Sequence, residues 1–232
     1  MLPNIGEAGQ QRLLDARVLI IGLGGLGSPA AMYLAAAGVG TLVLSDFDRV
    51  EVSNLQRQII HQYANIGESE VVSAQQTLEA LNPDCHVIAK AWQLENQELL
   101  SEIAQADVVL DCSDNFVTRF ALNRACVAAT TALVAGAAIR QQGQIMTIIP
   151  KQGACYECLY PANSTQIETE CSYGGILAPV VGVIGSLQAL QAVQILLGLT
   201  TDQAGKLLLF NAANMEWRKL HVPRDPTCNS CG

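Results

Sequence analysis

Two Cys-x-x-Cys pairs, Cys155 with Cys158 and Cys228 with Cys231, stand in the last third of this 232-residue sequence. Thiolates at that spacing form a metal-binding knuckle, and two knuckles supply the four soft ligands of a closed tetrahedral zinc site. A redox pair would need only one such motif. The spacing therefore predicts a structural Zn²⁺ on Cys155, Cys158, Cys228 and Cys231 that ties the C-terminal tail back to the rest of the chain.

A second pattern lies near the N-terminus. Gly22-Leu23-Gly24-Gly25-Leu26-Gly27 follows an apolar, β-branched run and opens an alanine-rich segment. Glycines there let backbone N–H groups approach a phosphate chain at the positive end of a helix. Asp46 ends the next apolar run, where an acidic side chain can accept from ribose hydroxyls. Together Gly22, Gly24, Gly25, Gly27 and Asp46 read as a nucleotide site; the rival reading, a tight turn with no ligand, leaves the strand, helix and acid in register unexplained.

Ser53-Asn54-Leu55-Gln56-Arg57-Gln58 follows that acid. The Arg57 fork suits phosphate oxygens, whereas a bare helical turn in solvent would show the same composition. Asp111-Cys112-Ser113-Asp114-Asn115 closes another apolar run. Asp114 is a candidate Mg²⁺ ligand against nucleotide phosphates; alternatively Asp114 or Asn115 is the N-cap of the helix that follows. Cys171, in a polar stretch before a glycine pair, is a candidate loop nucleophile for a thioester or disulfide, or an unreactive loop cysteine. Cys85, Cys112 and Cys126 fall on element positions and read as core. None of the three histidines has metal or triad spacing.

The elements that must position these groups follow from periodicity and punctuation. Arg17–Gly22, Thr41–Ser45, Cys85–Ala89, Val108–Asp111 and Ala132–Ala137 have the apolar character of buried parallel strands. Helical patterns over Leu26–Ala37, Glu68–Leu81, Gln97–Ala104 and Phe116–Ala129 alternate with them. From Gly143 the pattern changes: Gln144–Ile149, Lys206–Phe210 and Glu216–Val222 read as antiparallel strands around a long helix near Val180–Leu197. The fold class expected is α/β, a doubly wound, Rossmann-like, mostly parallel sheet continued by antiparallel strands. One domain is expected over residues 1–232, with a nucleotide-binding part to about 140 and a zinc part from about 141.

Composition narrows the class. A net charge of −8 argues against a nucleic-acid partner. Half the residues are apolar and 15% are charged, so a sizeable core is expected. Two uncharged runs, Val18–Ser45 and Ser172–Thr201, are long enough for a bilayer. Glycines and prolines break both, which favours buried elements over a membrane span. The start has no positive n-region or apolar h-region, so a cytoplasmic protein is expected. Eight cysteines in such a chain point to metal or catalysis rather than disulfides.

Gly22-LGGLG, Asp46-FD, Ser53-NLQRQ, Asp111-CSDN, Gly136-AAIR with Gly143-Q, Cys155-YECL, Gly182-VIGSLQAL and Cys228-NSCG occur in one order. The ordered set covers nearly the whole chain and resembles the ThiF- and MoeB-like adenylyltransferases of sulfur-carrier proteins. The resemblance implies a homodimer, ATP with Mg²⁺, and a ubiquitin-like partner ending in Gly-Gly. The implied reaction forms an acyl-adenylate with loss of pyrophosphate. It places nucleotide contacts on Gly25, Asp46, Ser53 to Arg57, Asp114 and Asn115, and zinc on the knuckle cysteines. It also puts Cys171 at a loop cysteine that in some members takes part in sulfur transfer.

The sequence departs from the family at two points. The family carries an arginine-rich segment, of the form RYxRQI, ahead of the part that matches Met1-LPNIGEAGQQ, and this sequence does not. Where the family has a phosphate-contacting lysine, this sequence has Glu70. Two further readings are therefore kept: a catalytically weakened relative that binds a carrier, and an NAD-dependent oxidoreductase built on the glycine motif. Leu159-Tyr160-Pro161 leans toward the thiamine-pathway enzymes, and Gly136-AAIR toward the molybdopterin ones.

Overall fold

The computed structural model describes residues 5–161, 175–199 and 203–232. Helix α1 spans Gly6–Asp15, and strand β1 (Arg17–Ile21) leads through the glycine turn into α2 (Gly27–Ala36) and β2 (Thr41–Ser45). Two 3₁₀ turns follow, then α3 (Glu70–Leu81), β3 (His86–Lys90), α4 (Asn96–Gln105), β4 (Val108–Asp111), α5 (Phe116–Ala129) and β5 (Ala132–Ile139). The C-terminal part comprises β6 (Gln142–Ile148), a short α6 (Tyr156–Leu159), α7 (Ala178–Leu196), β7 (Lys206–Asn211) and β8 (Glu216–His221).

The eight strands form one sheet in the order β3-β2-β1-β4-β5-β6-β7-β8. The first five are parallel and the last three antiparallel. The strand periodicity of two sends alternate residues to opposite faces, and each face carries its own core. Val18 and Ile20 of β1 join Leu42, Leu44, Leu110 and Val134 in the core shared with α2, α3 and α7. Leu19 and Ile21 join Val43, Val109 and Leu133 in the other, shared with α4, α5 and α6. Residues buried on both faces must be apolar throughout, which is why these strands read as continuous rather than alternating runs.

The strand order reverses direction between β1 and β4, so their carboxyl ends open a crevice where open α/β sheets bind ligands. Local chemistry keeps that crevice tight. Gly22 has φ +93°, and a Cβ there would lie 2.7 Å from the Cys112 carbonyl oxygen. A Cβ on Gly27 would meet the Gly22 carbonyl oxygen at 2.0 Å. Helix α7 lies against the same turn. A Cβ on Gly25 would meet Val181 Cγ2 at 2.7 Å, and one on Gly185 would meet the Leu26 carbonyl oxygen at 2.2 Å.

Helix α7 is the one described helix long and apolar enough to cross a membrane. Val180, Ile184, Ala189 and Ala192 are buried in the core it shares with the sheet and α2, the environment expected of an all-apolar core helix. The run Val18–Ser45 is strand, turn, helix and strand rather than a span. Helix α1 has no counterpart among the sequence-predicted elements. Nor have the short α6 and the two 3₁₀ turns, whereas the other helices and strands fall within two residues of expectation.

Candidate nucleotide site and cysteine centre

The glycine turn is fastened to the neighbouring strand end by Asp46. Its Oδ2 accepts from the Leu23 backbone N–H at 2.7 Å, and its Oδ1 accepts from the Asp48 N–H at 2.9 Å. Two backbone donors fix the carboxylate at the carboxyl end of β2 beside the glycine turn, with lone pairs left for a further donor. Gly24 lies beside the Gln58 side chain, 3.5 Å from the place a Cβ would occupy.

The polar segment after Asp46 forms 3₁₀ and turn structure. Asn54 and Leu55 are half-buried, as is Arg57, whose Nη1 donates to the Ser53 carbonyl at 3.3 Å. Ser53 and Gln56 are exposed. Asn54 turns inward instead: its Nδ2 donates to Glu70 Oε1 at 3.3 Å.

At the end of β4 the two readings of Asp114 and Asn115 separate. Asn115 is the N-cap of α5, its Oδ1 accepting from the Thr118 N–H at 2.9 Å. Asp114 is therefore not needed as the cap, and it is exposed at the ligand edge of the sheet. Behind it, Asp111 is fully buried; its Oδ1 accepts from the Ser113 hydroxyl at 2.6 Å and the Ser113 N–H at 3.0 Å. Burial raises the Asp111 pKa, and the neighbouring Arg119 guanidinium opposes that shift.

Carboxylates from three segments, Asp46 with Asp48, Glu70, and Asp114, share this edge. Asp48 binds its proton more tightly than usual through burial and the charges of Asp46, Asp114 and Glu51. Glu70, 1% exposed, is pushed up to about 7 by burial and by Asp46 and Asp48, against hydrogen bonds from Gln58 and Asn54. His61 lies beside it, Nε2 3.9 Å from Glu70 Oε2 and Nδ1 2.9 Å from the Ser73 hydroxyl. Burial lowers His61 to about 4, so it is neutral at pH 7.

Several residues here had no role in the sequence analysis: Asp48, Gln58, His61, Arg119 and Gln188. The Asp46-Phe47-Asp48 spacing could have flagged Asp48, since alternate residues past a strand end share a side. Gln188 of α7 could not have been found, because only the fold brings its Nε2 to the carbonyls of Asp111 (2.8 Å) and Val134 (3.1 Å).

The cysteine centre assembles on the opposite face of the sheet. Sulfur separations are 3.9 Å for Cys155–Cys158, 3.6 Å for Cys155–Cys228 and 3.5 Å for Cys158–Cys231. All four ligand atoms lie within 4.8 Å of one another. A tetrahedral ion with metal–sulfur bonds of about 2.3 Å would set its sulfurs roughly 3.8 Å apart, so the cluster fits zinc. The separations are far beyond a disulfide bond. Asn123 Nδ2 donates to Cys155 Sγ at 3.6 Å and the Asp225 N–H to Cys158 Sγ at 3.4 Å, the polarity thiolate ligands require. Cys85, Cys112 and Cys126 are buried, as expected of core residues. Cys171 lies outside the described residues.

The sequence matches the ThiF family profile over residues 1–230. It is 49% identical to the sulfur carrier protein ThiS adenylyltransferase of Escherichia coli, with 100% of this chain and 92% of that protein covered. It is 45% identical to the E. coli molybdopterin-synthase adenylyltransferase over 97% of this chain and 90% of that one. Among solved structures, E. coli MccB superposes with a TM-score of 0.85 at 23% identity, covering 96% of this chain and 68% of that chain, a likeness of fold. Matched over nearly its whole length, the chain belongs to the ThiF family, as an enzyme of the adenylyltransferase class.

Proposed function

We propose that this chain uses ATP with Mg²⁺ to adenylylate the C-terminal glycine carboxylate of a small ubiquitin-like sulfur-carrier protein ending in Gly-Gly. One observation carries the reading. The Gly22–Gly27 turn, Asp46 and Asp114 converge on the switch between β1 and β4, in a chain 49% identical to a ThiS adenylyltransferase. A carboxylate oxygen of the carrier attacks the α-phosphorus, the bond from that phosphorus to the bridging oxygen breaks, and pyrophosphate leaves. The attacking carboxylate is already ionised at pH 7, so no general base is needed. The site must supply alignment and positive charge.

In this reading the glycine turn and Asp46 hold the nucleoside end, with Ser53, Asn54, Leu55 and Gln56 lining the segment that carries Arg57. Arg57 meets phosphate oxygens, Asp114 holds Mg²⁺, and Asn115 holds the start of α5 in place. Residues from about 141 onward bind the carrier and, through the four knuckle cysteines, one structural Zn²⁺. Cys171 serves a later sulfur step. Val183 and Leu190 of α7, seven residues apart, are exposed and apolar, which supports a homodimer formed across that helix. The relative named for the thiamine carrier ThiS is slightly more similar than the molybdopterin one, which favours a thiamine-pathway carrier.

Pyrophosphate exchange into ATP, run with ThiS-like and MoaD-like carriers, tests the reading. Exchange with neither carrier would refute it.

A specific observation favours a second reading, a weakened enzyme: Glu70 adds a buried acid beside Asp46 and Asp48. Two like charges about 5 Å apart at an effective dielectric near 20 repel by roughly 3 kcal/mol. Glu70→Lys is then expected to tighten ATP binding in calorimetry. Unchanged binding would show that Glu70 does not face the phosphates.

A further inference from the structure

Three polar residues sit at i, i+4 and i+8 on α5, Asn115, Arg119 and Asn123, and therefore share one side of the helix. Arg119 and Asn123 are buried, at 6% and 0% exposure. Side chains this costly to bury need partners, and theirs lie in two different segments. Arg119 Nη2 donates to the Ser113 carbonyl, inside the loop that Ser113 also ties to Asp111 and that presents Asp114. Asn123 uses both ends of its amide on the first cysteine knuckle. Its Oδ1 accepts from the Tyr156 N–H at 2.9 Å, and its Nδ2 donates to Cys155 Sγ at 3.6 Å.

Tyr156 closes the chain between them. It directly follows the ligand Cys155, is 2% exposed, and its phenol interacts with the Arg119 guanidinium. The second knuckle is drawn in as well: the Ser230 hydroxyl donates to Glu157 Oε2 at 2.6 Å, and Glu157 Oε1 accepts from Arg124 Nε of α5 at 2.6 Å. Both knuckles thus grip the same helix whose N-terminal turn carries the ligand loop.

We propose that the cysteine centre and the Asp111–Asn115 loop are energetically coupled through Asn123, Tyr156 and Arg119. In this account Arg119 and Asn123 are positioning residues, and metal occupancy sets nucleotide affinity. The inference rests on the reading of that loop as part of the ATP site. A knuckle that loses its metal releases Cys155, hence Tyr156, hence the Arg119 clamp on Ser113, and Asp114 loses its fixed place. Coupling free energies are reciprocal, so bound nucleotide must hold the metal by the same factor.

The test uses the full zinc-loaded chain. Zinc release to a chromogenic chelator is followed with and without MgATP, and ATP binding is measured by calorimetry before and after zinc removal. ATP is expected to strengthen zinc retention by on the order of fivefold or more, with a matching loss of ATP affinity in the zinc-free chain. Asn123→Ala should bring both factors toward one while ATP still binds. Should that variant fail to fold by circular dichroism, Tyr156→Phe, which removes only the hydroxyl facing Arg119, is measured in its place. Equal zinc retention with and without bound ATP in the parent chain overturns the coupling while leaving the nucleotide site standing. Failure of the zinc-loaded chain to bind ATP at all overturns the site reading, and the coupling with it.

Discussion

The two clusters that α5 joins are organised on opposite principles. At the cysteine pole, two segments distant in sequence meet with their four sulfurs within 4.8 Å of one another. At the carboxyl edge of the sheet, the acids Asp46 and Asp48, Glu70, and Asp114 come from three pieces of the chain and repel one another. The first is a geometric staple whose removal should loosen the fold. The second stores unfavourable charge at a place where a cation and a nucleotide could relieve it. Stability and chemistry are therefore expected to fail separately under mutation.

The largest effect should come from the staple. Cys155→Ser or Cys228→Ser should abolish tight zinc binding and cost several kcal/mol, a large share of the roughly 5–15 kcal/mol that stabilises a typical domain. Metal analysis with thermal unfolding checks this. A metal-free parent chain of full stability would erase the distinction between the two poles.

Asp114→Ala should act the other way. The side chain is exposed and is not the cap of α5, so the melting temperature should hold. Mg²⁺-dependent pyrophosphate exchange should fall by at least about a hundredfold, roughly 3 kcal/mol. An unchanged magnesium dependence would leave Asp114 without a role in the site.

Glu70→Gln sharpens the comparison through pH. The folded Glu70 titrates near 7, above its ordinary 4.5. Between those values the folded state holds a proton that the unfolded state has released, so stability falls as pH rises through the window. The parent chain should lose more stability than the Gln variant from pH 5 to pH 8, by a few kcal/mol at most. His61 contributes the opposite slope, its stability lost as pH falls from 6.5 toward about 4, and it is common to both proteins. Parallel stability curves would mean that Glu70 titrates normally.

The smallest effect is expected from Cys171→Ala. Pyrophosphate exchange should be within about twofold of the parent, with any loss confined to sulfur incorporation into the carrier. A collapse of exchange would reverse that order of steps.

The cysteine pole was legible in the sequence because its signal is spacing, which survives without knowing the fold. The parallel sheet was legible for a similar reason: doubly buried strands must be apolar, and Gly38, Gly40 and Asn82-Pro83 mark where helices stop. Helix α1 was not, because its polar composition offers only Gly9 and Leu13 to the interior. The acidic edge was half visible. Asp46 and Asp114 stand at strand ends, but Glu70 opens a helix, and its approach to Asp46 depends on the turns between them. His61, read as a histidine without a role, is a buried neighbour of Glu70. Nothing in its local spacing announces that, since both contacts lie on α3.

The close approach of α7 to the glycine turn changes how substitutions in the turn should be interpreted. With Val181 Cγ2 at 2.7 Å from the place of a Gly25 Cβ, lost activity on enlarging residue 25 reports crowding against a helix as readily as a lost ligand contact. Size at position 25 is exchangeable for size at position 181. Across related sequences the two positions should covary, a larger residue in the turn appearing with a smaller one on the helix. Likewise Gly185, pressed toward the Leu26 carbonyl, keeps α7 close enough for that trade to exist. A mutational scan of the turn alone would record these constraints as catalytic necessity; a paired scan of turn and helix would separate ligand recognition from fit.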